Sequence, residues 1–285
     1  MEKLIGIIGG SGLSKMDGFE VLEERKVSTP FGEPSDAVFL GKIGGRKVAF
    51  IPRHGRGHTI PPCSVNYRAN ICALKQVGVE WVISVSAVGS LREEIVPGHF
   101  VIVDQYIDKT DGRVQTFYND GVVVHIAFAD PVCKELATLV TNSAKKCGIT
   151  VHEKGTYICM EGPAFSTRAE SHMHRAWGAD VIGMTNMPEA KLAREAELCY
   201  VTVALATDYD CWRAGEHVDV ATVIGTMKKN VANAHKLLID VVPKIPETRK
   251  CSCASALQGA IQSDPKYVSK ETWKKYDVLL GKYRR

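Results

Sequence analysis

The sequence lacks the features that would assign it to a membrane, secreted or nucleic-acid-binding class. No apolar run approaches the roughly 18–20 residues that a membrane-spanning helix needs. The first apolar run is interrupted at Gly6 and does not resemble a secretory signal peptide. The formal net charge is only +4 over 285 residues, and the charged residues are spread along the chain. We therefore expect a cytoplasmic globular protein with no membrane or nucleic-acid partner.

A zinc-type CxxC pair is also missing, although the chain has nine cysteines. The histidines do not cluster with these cysteines along the sequence, so we expect no metal site. Most of the cysteines lie in apolar runs that are typical of buried thiols. Cys251 and Cys253 are the exception, in a polar segment near the end of the chain. They are either a redox-active or stapling pair or two surface thiols without a role.

A dinucleotide-binding fingerprint is incomplete. In the glycine loop Gly9-Gly10-Ser11-Gly12, the position of the last glycine of G-x-G-x-x-G, counted from Gly10, is occupied by Lys15. Backbone N–H groups in such a loop approach an anion closely, and Ser11 adds a hydroxyl donor. The loop therefore favours phosphate over a dinucleotide, although any tight turn after a strand also uses glycine.

Apolar β-type runs alternate with helix-like segments. This alternation is typical of an α/β fold with a twisted, mixed or mostly parallel central sheet flanked by helices. No repeat or linker is visible, so we expect one domain over residues 1–285 with a C-terminal extension from about residue 247. The long loop 105–121 is a candidate functional or interface element. The expected strands are Leu4–Ile8, Lys47–Ile51, Trp81–Val85, Phe100–Val103, Thr156–Met160, Val181–Met184 and Tyr200–Ala206, and the expected helices are Asn66–Val77 (N-cap Ser64), Asp130–Cys147 (Pro131 in its first turn), Ser166–Trp177, Pro188–Glu197 and Thr222–Val241.

Anion-binding side chains follow several of these strands. Arg53 and His54 come directly after one strand, and they offer a planar guanidinium and a second donor for an oxyanion. Ser86 and Ala87 follow another strand, and Thr185 follows a third. Each loop alone is equally consistent with a solvated basic or polar turn. Because carboxyl ends of parallel strands meet at one edge of a sheet, the coincidence predicts a shared phosphate site.

Two carboxylates follow the most apolar strand of the chain. In an extended chain, Asp208 and Asp210 would face the same side, so both would point at one ligand. Two neighbouring acids that share a proton are suited to acid catalysis, whereas a solvated Asp-Tyr-Asp turn is the simpler alternative.

Two apolar side chains also fall near expected strand ends. Phe165 is either a stacking partner for a flat base or a core anchor, and Met184 would give apolar contact to a sugar.

These stretches together resemble the trimeric branch of the purine nucleoside phosphorylases, in particular its members that cleave 5'-methylthioadenosine. The resemblance runs from residue 5 to about 240, and it is carried by the glycine loop, the segments 53–60, 65–67, 89–95, 161–166 and 184–189, and most specifically by Ala206 to Trp212. It implies phosphorolysis of 5'-methylthioadenosine to adenine and 5-methylthioribose 1-phosphate, with phosphate as co-substrate and without a metal or organic cofactor.

The resemblance also implies roles for individual residues. Asp208 would protonate purine N7 as the general acid, and Asp210 would accept a hydrogen bond from the 6-amino group. A neighbouring subunit would supply His125 and Leu279, which implies a homotrimer or a hexamer. The CxC pair Cys251 and Cys253 is similar to one found in heat-stable members. Phosphate would be bound by Ser11, Arg53, His54, Ser86, Ala87 and Thr185, the base and ribose would be bordered by Phe165 and Met184, and the methylthio group would lie against Val220, Val223 and Ile224.

Two other functions are compatible with parts of the sequence. A sibling phosphorylase would act on methylthioinosine or on inosine and guanosine, but a 6-oxopurine needs a donor facing O6 where this chain has two acids. A non-catalytic nucleotide-binding module would use the glycine loop alone, and it would leave Arg53, His54 and the acids without a purpose.

Overall fold

A mixed sheet of eleven strands carries hydrophobic clusters and helices on both of its faces. The computed structural model describes residues 3–10, 12, 16–213 and 220–284, with the side chains of residues 220–224 left out. The strands are β1 (Leu4–Gly9), β2 (Phe19–Arg25), β3 (Val38–Ile43), β4 (Arg46–Pro52), β5 (Val79–Ser90), β6 (Phe100–Val103), β7 (Gln105–Lys109), β8 (Val151–His152), β9 (Thr156–Met160), β10 (Val181–Gly183) and β11 (Cys199–Asp208).

Four parallel strands form the centre of the sheet in the order β4-β1-β5-β11. Antiparallel β2 and β3 extend it beyond β4, and β6 joins β11 antiparallel on the other side. Strands β10, β9 and β7 run parallel to one another, and β10 pairs antiparallel with the end of β5. The prediction of an α/β fold with a mixed central sheet is confirmed. The parallel arrangement brings the ends of β1, β4, β5 and β11 to the same edge.

The described residues form seven α-helices. They are α1 (Tyr67–Gln76), α2 (Lys134–Lys146), α3 (Arg168–Ala176), α4 (Glu189–Glu195), α5 (Val220–Val241), α6 (Lys270–Lys275) and α7 (Asp277–Leu280), and short 3-10 turns occupy Pro62–Ser64, Val242–Lys244, Ser252–Ser255, Pro265–Tyr267 and Gly281–Tyr283. Among these residues, no helix is both long enough and apolar enough to cross a bilayer.

Helices α1, α2 and α3 begin later than the sequence predicts because other residues cap them, whereas α5 begins two residues earlier, at Val220. Asn66, and not Ser64, caps α1 through its side chain. The N-cap of α2 is Cys133, so Pro131 lies outside the helix. Thr167 begins α3 in a capping box with Glu170, so the helix starts after Ser166.

Sequence analysis missed the four strands β2, β3, β7 and β8, and two of them, β2 and β7, have no continuous apolar run. Six of the seven residues of β2 are exposed, and only Phe19 is buried. Strand β7 takes the first five residues of the segment 105–121 that we expected to be a loop, and its residues are half-buried or exposed. Edge strands with water on one side do not give the apolar signal of the buried β5 and β11.

A buried carboxylate fixes the rest of that loop. Glu195 in α4 accepts hydrogen bonds from the Thr116 hydroxyl (2.6 Å) and from the Phe117 backbone N–H (2.8 Å). Burial raises the pKa of Glu195 to about 7, although both hydrogen bonds oppose the shift. The folded chain therefore binds a proton that the unfolded chain has lost between pH 4.5 and about 7.

We expect stability to fall with rising pH in this window, since the folded state binds more protons there. The free energy of unfolding of Glu195→Gln should decline less between pH 4.5 and 7 than that of the parent chain. Urea unfolding at both pH values measures this difference, and other titrating groups cancel in the comparison. Glu135→Gln, at an exposed position in the first turn of α2, should retain the parent's pH dependence. Equal slopes for the parent and Glu195→Gln would contradict the assignment.

Candidate active site

A cavity of about 780 Å³ opens at the edge where the central strands end. Gly10 and Gly12 reach it from the end of β1, Arg53 and His54 from β4, and Asp208 from β11. The second half of β5 lines it from Val85 to Gly89, and the segments after β9 and β10 complete the wall. This is the edge where open α/β sheets bind ligands.

Arg53 is buried against Glu189 in a two-point ion pair. Its Nε atom donates to Glu189 Oε2 at 2.7 Å, and NH2 donates to Oε1 at 3.1 Å. The hydroxyls of Ser84 (2.6 Å) and Tyr200 (2.8 Å) also donate to Glu189 Oε1. Burial alone would lower the pKa of Arg53, but the Glu189 carboxylate outweighs it and raises that pKa. Glu189 is a site residue to which sequence analysis gave no role, because its partner is 136 positions away.

This pairing limits what Arg53 can offer to an anion. A guanidinium has five N–H donors. Within the described part of the chain, four of them are used by Glu189 (two), by Ser84 Oγ at 2.7 Å and by the Val85 carbonyl at 3.2 Å. Arg53 therefore presents one directed N–H group to a ligand, and the net charge of the pair is zero.

His54 lies beside Arg53 as a neutral ring. Its Nδ1 atom lies 2.8 Å from the Ile60 carbonyl, which can only accept, so Nδ1 carries the proton. Burial, and then the nearby Arg53 charge, lower the pKa of His54 to about 4. The expectation that His54 offers a second donor is wrong for this neutral ring. Its Nε2 atom is an acceptor, suited to the O–H group of a protonated phosphate.

The remaining predicted phosphate residues meet at the ends of β5 and β10. The Ser86 and Thr185 hydroxyls are 2.9 Å apart and both are buried, while Ala87 faces the cavity. The Tyr157 hydroxyl accepts a hydrogen bond from the Thr185 backbone N–H at 3.3 Å and so helps to fix the position of Thr185. Ser11 lies outside the described residues, although its neighbours Gly10 and Gly12 line the same cavity.

Asp208 is linked to a hydroxyl that can accept or donate. Thr207 Oγ1 lies 2.6 Å from Asp208 Oδ2 and 3.1 Å from the Val88 carbonyl. One hydroxyl has one proton. When Thr207 donates its hydrogen bond to Val88, a protonated Asp208 must donate the short hydrogen bond to Thr207. An ionised Asp208 instead accepts a hydrogen bond from the Thr207 hydroxyl. The Asp208 carboxyl can therefore form a hydrogen bond with Thr207 in either protonation state.

Asp210 reaches the cavity from a turn and not from an extended strand. Strand β11 ends at Asp208, and Asp210 adopts a φ of 50° in the left-handed region. The prediction of an extended Asp-Tyr-Asp is therefore wrong, but both acids do line the cavity. The Asp210 backbone N–H donates to Asp208 Oδ1 at 2.8 Å, and a Cβ at Gly89 would lie 3.1 Å from that oxygen. Only glycine leaves this space open.

The Asp210 carboxyl is buried with one oxygen unsatisfied. Its Oδ2 atom has no hydrogen-bond partner among the residues that the structure describes, and the side chain is 5% exposed. Burial raises the pKa of Asp210. A buried acceptor without a partner costs about 1–3 kcal/mol. A ligand N–H group would remove that cost.

Phe165 and Met184 both line the cavity. Phe165 is 58% exposed, which rules out the core-anchor alternative and leaves a ring face available at the cavity entrance. Met184 is half-buried one residue after the end of β10. Their placement fits contacts to a flat base and a sugar.

Helix α5 contributes two residues that sequence analysis missed. Met227 and Val231 line the cavity, and Asn230 anchors the helix by donating to the Ala206 carbonyl at 2.8 Å. The side chains of the predicted residues Val220, Val223 and Ile224 lie outside the described residues. Met227 and Val231 follow Val223 at intervals of four, which is the spacing of one helix face and was the available signal.

His125 and Leu279 do not line the cavity of their own chain. His125 is exposed, and its backbone N–H donates to the Ala260 carbonyl at 2.9 Å. Leu279 in α7 is 4% exposed and packs in the core cluster that contains Trp273 and Tyr276. The implied contact of Leu279 with a neighbouring subunit stays a prediction, since the structure describes one chain in which this side chain is buried.

Several known proteins are similar to this chain over most of its length. An S-methyl-5'-thioadenosine phosphorylase of Geobacter sulfurreducens is 54% identical over 285 residues, covering 99% of this chain and 100% of that protein. One of Thermofilum pendens is 58% identical over 262 residues, covering 92% and 100%. The crystal structure of a methylthioadenosine phosphorylase from an Antarctic soil metagenomic library matches with a TM-score of 0.94 and 46% identity, covering 98% and 100%. That of a Schistosoma mansoni methylthioadenosine phosphorylase in complex with adenine matches with a TM-score of 0.87 and 37% identity, covering 91% and 99%.

The family assignment follows from a match that spans most of the sequence. The family model described as the phosphorylase superfamily matches residues 4–243, which include every strand of the sheet. The resemblance seen in the sequence is confirmed. This chain belongs to the phosphorylase superfamily.

Proposed function

We propose that this chain cleaves 5'-methylthioadenosine with phosphate, giving adenine and 5-methylthioribose 1-phosphate. The observation that carries the proposal is one cavity with two chemically different halves. One half has hydroxyls and a buried guanidinium, and the other has two aspartates at the end of β11. The similar proteins named methylthioadenosine phosphorylases support the same substrate.

Phosphate would bind in the half formed by Arg53, His54, Ser86 and Thr185, with the Ala87 main chain and Ser11 as the remaining contacts. The zero net charge of the Arg53–Glu189 pair favours directed hydrogen bonds over bulk attraction. Neutral His54 would accept a hydrogen bond from the O–H group of a monohydrogen phosphate, which orients another phosphate oxygen toward the sugar. Held there, phosphate attacks C1' as the C1'–N9 bond breaks, and its charge stabilises the oxocarbenium-like centre.

The departing adenine takes up a proton in the other half. Asp208, through its link to Thr207, would deliver that proton to N7 and neutralise the charge left by the C1'–N9 electron pair. Asp210 would accept from the 6-amino group through Oδ2, which satisfies the buried oxygen. This chemistry uses protein side chains and phosphate, and we propose no metal or organic cofactor for it.

An apolar pocket would bind the methylthio group along α5. Met227 and Val231 form its described part, and Val220, Val223 and Ile224 would continue it by their spacing in the sequence. An apolar wall favours a methylthio group over a hydroxyl by about 1–3 kcal/mol. Adenosine would therefore be a weaker second substrate.

We also propose a cytoplasmic homotrimer or a hexamer of two trimers. Its support is the sequence resemblance together with the position of His125, which is exposed and does not line its own cavity. In an oligomer, His125 would be available to the cavity of a neighbouring subunit, and Leu279 would contribute with it.

The other two functions have less support. A 6-oxopurine would place its O6 acceptor against the unsatisfied acceptor Asp210 Oδ2. A non-catalytic binding module would not need the Asp208 carboxyl and the Thr207 hydroxyl next to the proposed phosphate-binding half of the cavity. The similar proteins carry names that favour neither alternative.

Free adenine released from 5'-methylthioadenosine, measured with and without phosphate, tests the function. We expect release only with phosphate, faster than from adenosine, because the attack on C1' uses bound phosphate and the 5' pocket is apolar. Methylthioinosine is the control for the base. Release without phosphate would indicate a hydrolase, and preference for methylthioinosine would contradict the role of the aspartates.

Arg53→Lys tests the phosphate half. Lysine keeps the charge but loses the fork that satisfies Glu189, so we expect the KM for phosphate to rise about 10-fold or more. The KM for methylthioadenosine should change less. Arg56→Lys is the matched control, because Arg56 lies three positions on, is exposed and pairs with Asp36 and Glu24 outside the cavity. An unchanged phosphate KM in a folded Arg53→Lys protein would remove this residue from the site.

Two amide substitutions separate the roles of the aspartates. Asp208→Asn cannot transfer a proton, so we expect kcat on methylthioadenosine to fall about 10²- to 10⁴-fold. Asp210→Asn can donate to O6, so the ratio of kcat/KM for methylthioadenosine over methylthioinosine should fall about 10- to 100-fold. Each variant serves as the control for the other, because the two side chains share one turn.

The proton role has a second readout. With a nucleoside whose leaving group needs no protonation, Asp208→Asn should recover most of the parent rate, whereas a merely structural defect would persist. Identical base preference in the parent and in Asp210→Asn would show that Asp210 does not read the 6-position.

A further inference from the structure

Four cysteines from three distant parts of the chain converge on one point. Cys133 caps helix α2, Cys199 is the first residue of β11, and Cys251 and Cys253 flank Ser252 at the start of a 3-10 turn. Their four Sγ atoms all lie within 4.8 Å of one another. Cys251 Sγ is 3.8 Å from Cys133 Sγ and 3.3 Å from Cys199 Sγ. None of these residues lines the candidate active site.

We infer that Cys133, Cys199, Cys251 and Cys253 form a structural site for one tetrahedrally coordinated metal ion, with Zn²⁺ as the ion that four thiolates suit best. With Zn–S bonds of about 2.3 Å, tetrahedral coordination places sulfurs about 3.8 Å apart. The separations in this cluster bracket that value. Soft sulfur ligands in a four-fold set favour zinc over magnesium, calcium or manganese.

All four sulfur atoms surround one common point, and this distinguishes the cluster from two separate disulfide-bonded pairs. A disulfide requires an S–S distance of about 2.05 Å and joins sulfurs two by two. Here Cys251 lies close to both Cys133 and Cys199, so its contacts are shared and not exclusive. All four thiols are free. One ion at the centre would coordinate all four sulfur atoms after only small shifts in their positions.

The surroundings suit a buried structural ion. Cys133, Cys199 and Cys253 are 0–6% exposed and belong to the hydrophobic cluster on one face of the sheet, while Cys251 packs at its edge and is partly exposed. The cluster is therefore enclosed by apolar side chains on most sides and reaches solvent on the side of Cys251. Cys133 is also at the N-terminus of a 13-residue helix, where the helix dipole stabilises a thiolate.

The site would tie the segment after α5 to the centre of the fold. Cys251 and Cys253 belong to that segment, whereas Cys199 begins the strand that ends at Asp208. Binding would convert the four thiols to thiolates, release their protons to solvent and involve no change of oxidation state. Sequence analysis expected no metal site because CxxC and nearby histidines are absent, but zinc also binds sets of four cysteines without histidine.

Metal analysis of the full chain tests the inference independently of its enzymatic activity. The protein is purified with reductant and without chelator or polyhistidine tag, and zinc is measured per chain by mass spectrometry. We expect about one zinc ion per chain. The chain refolded with Co²⁺ should show the intense visible and sulfur-to-cobalt charge-transfer bands of tetrahedral thiolate coordination.

Variants locate the ion. Cys251→Ser combined with Cys253→Ser should reduce bound zinc to background and abolish the cobalt bands. Cys147→Ser is the matched control, a partly buried cysteine at the other end of α2, and it should keep both. A strong chelator should lower the Tm of the parent and of the control but not that of the double variant, because metal that binds only the folded state stabilises it.

Two results would overturn the inference. One is a reduced parent chain that takes up neither Zn²⁺ nor Co²⁺ while remaining folded by circular dichroism. The other is a chain purified without reductant that holds no metal and has lost four thiols to titration, with peptide mapping joining these cysteines in pairs. That second result would identify the cluster as disulfides and not as a metal site.

Discussion

The buried ion pair between Arg53 and Glu189 is the constraint on which the rest of the site depends. An arginine charge with 2% exposure at the edge of a sheet requires a fixed partner, and removing either member of a buried pair typically costs about 3–5 kcal/mol. Glu189 meets this requirement only because Ser84 from β5 and Tyr200 from β11 donate to it as well. The pair therefore joins β4, β5, β11 and α4 at one point. Ser84 and Tyr200 lie on β5 and β11, the strands that also carry Ser86 and Asp208.

The two halves of the cavity hold their polar groups in different ways. In the phosphate half, Arg53 is committed to the protein and the Ser86 and Thr185 hydroxyls bond each other, so the donors are oriented before any ligand arrives. In the base half, Asp210 carries a left-handed backbone and a buried oxygen without a partner among the described residues. Such strain persists only where the surrounding structure enforces it, and it is concentrated at functional sites. The first half is preorganised for an anion, and the second is completed by its ligand.

Sequence analysis could predict the edge of the sheet but not the contacts across it. The central strands carry apolar runs, and the residues after β4, β5, β10 and β11 were expected together because parallel strands end together. Glu189 could not be assigned to Arg53, since the pairing depends on where α4 packs. The turn at Asp210 depends on the space above Gly89, which no local pattern reveals. Strand β2 was missed because water covers it, and the four cysteines because their convergence is purely tertiary.

In the proposed function, the Asp210 oxygen that lacks a partner among the described residues would select the base without a dedicated donor. A buried acceptor rejects another acceptor strongly, because pairing them leaves both without hydrogen bonds, whereas an N–H group restores one to each. In the proposed mechanism, Asp208 would give up a proton and take it back. Its contact with Thr207 suits this role, as that hydroxyl can donate to Asp208 or turn to the Val88 carbonyl. The two aspartates of one turn would then differ in function because Asp208 has a reversible partner within the protein, whereas Asp210 Oδ2 has no partner among the described residues.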